Sequence, residues 1–181
     1  MMAESELQQL LYSERANVYA VLDGASIKDL PQILYEKAPP NFCLFRGDLR
    51  SDMASVAPYV VGLVRNAPFT DWLLASEPGS HYGVFATSRQ SIQEMRFHFR
   101  DLFIVYREDG DPMYFRFYDP RVMHAFLPTC TPDELRKFFG PIDRFIAENE
   151  DGTAYSTFRL EGEGLSQSVT KLSEEDDEGS A

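Results

Sequence analysis

Within Phe115-Arg116-Phe117-Tyr118-Asp119-Pro120-Arg121-Val122, two guanidinium groups and a carboxylate fall inside one aromatic-rich stretch. Arginine presents a planar fork of donors that matches phosphate or carboxylate, so Arg116 and Arg121 could clamp an anion. The competing reading is a structural ion network. Asp119 followed by Pro120 is a helix start, with the aspartate as N-cap and the proline at the first helical position. Alternation sets Arg116 among aromatic rings and outside any glycine-rich anion loop, which favours the structural reading.

Asp23 is the other carboxylate placed for chemistry. It closes the apolar run Val18-Tyr19-Ala20-Val21-Leu22, where an α/β fold often carries a catalytic or binding group. A phosphatase-like nucleophile would want a second carboxylate two residues on, and Ala25 stands there. Asp23-Gly24 therefore reads as a turn. His81, His98 and His124 are dispersed, and neither histidine nor cysteine follows any of them at helical spacing. With no close cysteine pair either, a metal site is not expected. Nucleotide-binding glycine motifs and a Gly-x-Ser-x-Gly elbow are absent from the sequence. Phe69, Trp72 and Leu73, in a short segment after Pro68, are candidates for contact with a protein partner.

The elements that must position these residues follow from periodicity. Leu7, Leu10 and Leu11 predict a helix near 4–14, and Ile27, Leu30, Ile33 and Leu34 another, opened by a Ser26…Asp29 capping pattern. Strands are expected at 18–22, 42–45, 59–64 and 82–86, with helices near 50–57 and 69–74 between them. Ser91…Glu94 and Thr131…Glu134 are capping boxes before two further helices. Phe103–Tyr106 and Met113–Tyr118 flank Asp109-Gly110-Asp111-Pro112 as a hairpin. Segments 142–146 and 154–160 form a last one around Glu150-Asp151-Gly152. Strand–helix alternation predicts an α/β fold with a mixed sheet: parallel βα units in the N-terminal part, antiparallel hairpins in the C-terminal part.

The 181 residues suit a single α/β domain over 1–160, with room for a small helical and hairpin lobe from about 120. Net charge is −12, which argues against nucleic acid and against anionic lipid as partners. Half of that charge lies in 161–181, where seven acidic residues face only Lys171. This stretch is expected to be a disordered acidic tail from about Leu165. Cys43 and Cys130 read as reduced, buried thiols, and neither a signal segment nor an apolar run of spanning length is visible. A cytoplasmic protein is expected.

The order of the blocks is specific. Tyr19-Ala20-Val21-Leu22-Asp23-Gly24-Ala25 is followed by Ala57-Pro58-Tyr59-Val60-Val61 and then by Phe115 to Val122. Leu127-Pro128 and a helix ending in Phe138-Phe139-Gly140-Pro141 complete the pattern. Over roughly 16–146 the chain resembles the effector-chaperone or adaptor family of bacterial type VI secretion, a domain-of-unknown-function family (4123). The resemblance implies a non-catalytic protein without a cofactor, which holds a cognate effector and helps load it on the VgrG spike protein. Its marker positions here are Asp23, Pro58, Tyr59, Arg116, Asp119, Pro120 and Arg121, and most of them are expected to serve the fold. Such a chaperone needs an apolar groove with a polar rim. The alternatives are an immunity-type inhibitor whose acidic surface plugs a toxin, or an α/β enzyme acting on a phosphorylated small molecule.

Overall fold

A computed structural model describes residues 5–172. In chain order the elements are α1 (Glu6–Leu11), β1 (Asn17–Asp23), α2 (Leu30–Lys37), β2 (Asn41–Cys43), α3 (Ser51–Val56), β3 (Pro58–Leu63), α4 (Pro68–Leu74) and β4 (Gly83–Ser88). They continue with α5 (Ile92–Phe103), β5 (Ile104–Tyr106), β6 (Pro112–Tyr114), α6 (Pro120–Phe126), α7 (Pro132–Phe139), β7 (Ile142–Glu148), β8 (Ala154–Glu161) and β9 (Gly164–Lys171). Seven strands form one sheet in the order β2-β3-β1-β4-β7-β8-β9, and β5-β6 stand apart as a small ribbon.

The alternation along β1 explains why the sheet is covered on both faces. Tyr19 and Val21 point to one core with Met95, Phe99, Phe117, Met123 and Phe138, from α5, the 115–118 turn, α6 and α7. Val18, Ala20 and Leu22 point to a second core with residues of α1, α2 and α4. A strand between two helical layers is apolar at every position, not at alternate ones.

The parallel βα units expected in the N-terminal part are not found: all the pairings of this sheet are antiparallel. β1 and β2 do run in the same direction, as do β3 and β4, but each pair has an antiparallel strand between its members. The crossovers through α2 and α4 each step over one strand position. Strand–helix alternation predicts direction; it does not say which neighbour a strand will pair with.

A second correction concerns the acidic tail. Gly164–Lys171 is not structureless: it pairs with the whole of β8, from Ala154↔Lys171 to Glu161↔Gly164. Gly162, at φ +61°, makes the tight turn between them. Val169 and Thr170 are good strand formers, and a hairpin partner already in place lowers the entropy cost of ordering a polar strand. The acidic run after Leu172 lies outside the described residues.

Local signals were met unevenly. Ser91 and Thr131 are N-caps in full capping boxes on α5 and α7. Ser26…Asp29 is not one. Ser26 Oγ donates to Asp23, and α2 starts from Asp29 without a side-chain cap. Arg144 is buried and donates to the carbonyls of Leu10 and Leu11 at 2.8 and 3.2 Å, closing the short α1.

Candidate functional site

The residues singled out for chemistry gather at one end of the sheet. β1 ends at Asp23, opposite Pro58 at the start of β3, and Leu22 faces Tyr59. Gly24 is needed at that turn, because a Cβ there would lie 2.3 Å from the Ala57 carbonyl oxygen. Tyr59 donates its hydroxyl to the Ala54 carbonyl at 3.0 Å, and burial pushes its pKa up to about 12.

Asp23 is the hub. One carboxylate oxygen accepts from the Ala25 amide at 2.9 Å, the other from Ser26 Oγ at 2.8 Å. The second oxygen also accepts from Arg116 Nη2 at 2.6 Å, a link between residues far apart in sequence. The Asp23 side chain is 4% exposed and that of Arg116 49%, so the pair seals the sheet end with the cation facing water. Burial opposes the charge on Arg116, but Asp23 overcomes it and raises the guanidinium pKa. The ring of Tyr118 lies under the same guanidinium, 5.9 Å away, and burial followed by Asp23 raises its phenol pKa.

The sequence places Arg116 on a strand over Met113–Tyr118, but β6 stops at Tyr114 and Arg116 lies beyond it. Two tight turns follow, with Phe117 N donating to Phe115 O at 2.9 Å and Asp119 N to Arg116 O at 3.0 Å. These turns drive Phe117 into the core and swing Arg116 towards β1. The helix start read at Asp119-Pro120 is present: Asp119 caps α6 by accepting from the Arg121 amide at 3.0 Å. The same carboxylate takes Arg121 Nε at 3.0 Å and Nη2 at 2.9 Å. Burial would raise the Asp119 pKa, but the Arg121 hydrogen bonds outweigh it and hold the carboxyl below its usual value.

Each arginine is therefore paired with a carboxylate of this chain, Arg121 through two nitrogens and Arg116 through one. Both side chains are still about half exposed, 49% for Arg116 and 59% for Arg121, so the pairing partly neutralises them without burying them. Among the described residues no three His, Cys, Asp or Glu side chains converge as metal ligands. Cys43 and Cys130 are free and half-buried, and burial raises both thiols, Cys130 to about 11. The histidines stay apart: His98 contacts the Phe138 carbonyl, His124 that of Glu148, and the Glu148 carboxylate accepts from the His81 amide.

The partner candidates on α4 need correction. Phe69 and Leu73 are buried in the second core, leaving Trp72, half-buried against Phe69, with accessible surface. Phe69 and Leu73 are four apart and so share the inward face of α4, while Pro68 at its start is exposed.

A different apolar surface stands open beside the corner. Leu44, Phe45, Leu49, Met53, Phe103, Ile104 and Tyr114 line a groove of about 200 Å3 between the α3 segment and the β5-β6 ribbon. Phe103 stacks on Tyr114 at 4.9 Å and packs against Phe45 at 5.4 Å. Tyr114 is 69% exposed, and Tyr106, on the same face of the ribbon, 71%. The rim is charged, with Arg46 paired to Asp101 at 3.7 Å. Sequence reasoning missed this groove. Its signal was a hairpin too short and too charged at its turn to bury Tyr106 and Tyr114.

Compared with known families, residues 18–137 match the family model described as Domain of unknown function (DUF4123). No curated protein matches, and no solved structure does.

Proposed function

This chain belongs to the DUF4123 family, a type VI secretion effector-associated chaperone/adaptor family, and on that footing we propose that it is a non-catalytic adaptor for a cognate effector. It binds the effector in the cytoplasm, keeps it soluble and helps bring it to the VgrG spike protein. The match over 18–137 is the observation that carries this reading.

The surface chemistry agrees with it. The groove beside Tyr114 is apolar at its floor and charged at its rim, the pattern of a site that protects an apolar segment and still releases it. Phe45, Phe103 and Tyr114 line it beside Leu44, Leu49 and Ile104, and Met53 adds a flexible side chain that can adapt to an irregular partner. The corner of Asp23, Arg116, Asp119 and Arg121 supports the groove from behind: it fixes the turn that follows β6.

Co-expression with effectors encoded beside this gene tests the reading. A stable complex is expected, weakened at least about tenfold by Met53→Asp combined with Tyr106→Asp, both at exposed positions. Turnover of a small phosphorylated substrate, lost in a folded Asp119→Asn variant, would overturn it.

A further inference from the structure

The two edges of the main sheet differ. At β2 the outward carbonyl of Cys43 accepts from Arg100 Nη2 at 2.9 Å, and the Phe45 carbonyl beyond it accepts from the same atom at 3.1 Å. That edge is short and capped. The β9 edge is long and open. Leu172 N donates to Thr153 O at 2.9 Å, which sets the hydrogen-bonding phase of the β8–β9 ladder. Residues 164, 166, 168 and 170 then bond inwards to β8, and Leu165, Gln167, Val169 and Lys171 turn their amides and carbonyls outwards. Within the described residues none of these outward groups has a partner. The strand has no proline or bulge, and its one charge is at its end, so the usual protections of an edge are missing.

Beside this edge lies a cleft of about 560 Å3 between β9 and α6, lined by Arg121, His124, Ala125, Gln167 and Val169 among others. Val169 is 54% exposed in it. A strand added to β9 would place alternate side chains over Val169 and Ala125, giving side-chain selection beside a backbone ladder.

Charge selects the occupant. The turn at one end of β9 carries Glu161 and Glu163, and the turn at the other carries Glu150 and Asp151, all exposed. Arg136 reaches Glu163 at 3.6 Å, Lys171 ends the strand, and Arg121 is held by Asp119. Pairing of two copies through β9 about a two-fold would set the Glu161/Glu163 turn of each against the Glu150/Asp151 turn of the other. Like charges at both ends disfavour that dimer. We infer that β9 is a strand-addition site for an extended partner segment with apolar or β-branched residues at alternate positions and lysine or arginine at both ends. This rests on the adaptor reading for the identity of the partner as an effector, but the edge itself can be tested without one.

The probe is a synthetic peptide of alternating valine and threonine, as long as β9 and with lysine at both ends, titrated into the full chain and followed by amide NMR. Shifts and slowed exchange are expected at Leu165, Gln167, Val169 and Lys171, with shifts at Ala125. A glutamate-flanked version should bind at least about tenfold more weakly at low salt. Val169→Pro removes one outward N–H without touching the β8 ladder, so it should fold and lose binding. Gln167→Pro and Val169→Lys are measured alongside, so that misfolding of one variant leaves the comparison standing. Unshifted β9 amides, undiminished binding to a folded Val169→Pro chain, or dimerisation through β9 would each overturn the inference. None of those results touches the adaptor reading, which fails only with the effector itself.

Discussion

Asp23 joins two segments that sequence order keeps apart: the end of β1 with its turn at Ala25 and Ser26, and the Arg116 turn. Arg116→Ala removes one of three donors to a buried carboxylate. A charged hydrogen bond is worth about 1.5–3 kcal/mol, and the half-exposed guanidinium puts this one near the lower end. Chemical denaturation should show a loss of about 1–2 kcal/mol, with effector binding weakened only as far as stability is; unchanged stability with binding abolished would make Arg116 a contact residue. His98 gives a pH signature. Burial lowers its pKa from the ordinary 6.5, against the hydrogen bond to the Phe138 carbonyl. The neutral form is the folded one, so the contribution is complete above 6.5 and is lost as pH falls through the lowered folded value. The melting temperature should drop between neutral and mildly acidic pH, and His98→Gln should flatten that drop; an equal slope in the variant would contradict the assignment.

At the scale of elements, β9 changes what truncation should do. Deleting the chain after Gly164 removes a strand paired along all of β8 and uncovers Leu160 and Phe158, which Leu165 helps to cover. Loss of the ladder and of the apolar cover over Leu160 is expected to cost about 2 kcal/mol, inside the usual range for a destabilising change. In a domain of this size that is a fall of roughly 4–8 °C, measurable by calorimetry, and an unchanged melting curve would show the strand to be dispensable. The helix starts at Ser91, Asp119 and Thr131 were legible in the sequence because capping is local chemistry. Most strand positions were legible as well, since apolar runs and turn residues bound them, but β6 ends sooner than expected and β9 was not foreseen. The pairing was not: β3 enters between β1 and β2, and no residue in β1 announces its neighbour. β9 was missed because a polar strand such as Leu165-Ser166-Gln167-Ser168 owes its order to β8 and not to its own composition. The Asp23–Arg116 bond was missed for the same reason, as it depends on tertiary contact.

For the whole molecule, two helical layers on an antiparallel sheet leave three kinds of surface: a sealed ionic corner, an aromatic groove and an open sheet edge. Among the described residues no helix is long and apolar enough to cross a membrane. The excess of negative charge keeps such a surface from associating with itself and steers basic segments towards it, an effect that falls as salt rises. Association of the effector should therefore slow at high ionic strength while dissociation changes little, as stopped-flow mixing would show; a salt-independent on-rate would remove charge from the account.

The role proposed for this chain is to hold an effector. Co-expression with each effector encoded beside its gene, tandem purification and light-scattering mass test it most directly. One partner recovered in a stable complex of defined stoichiometry is the expected result. A lone chain recovered with every neighbour would contradict it.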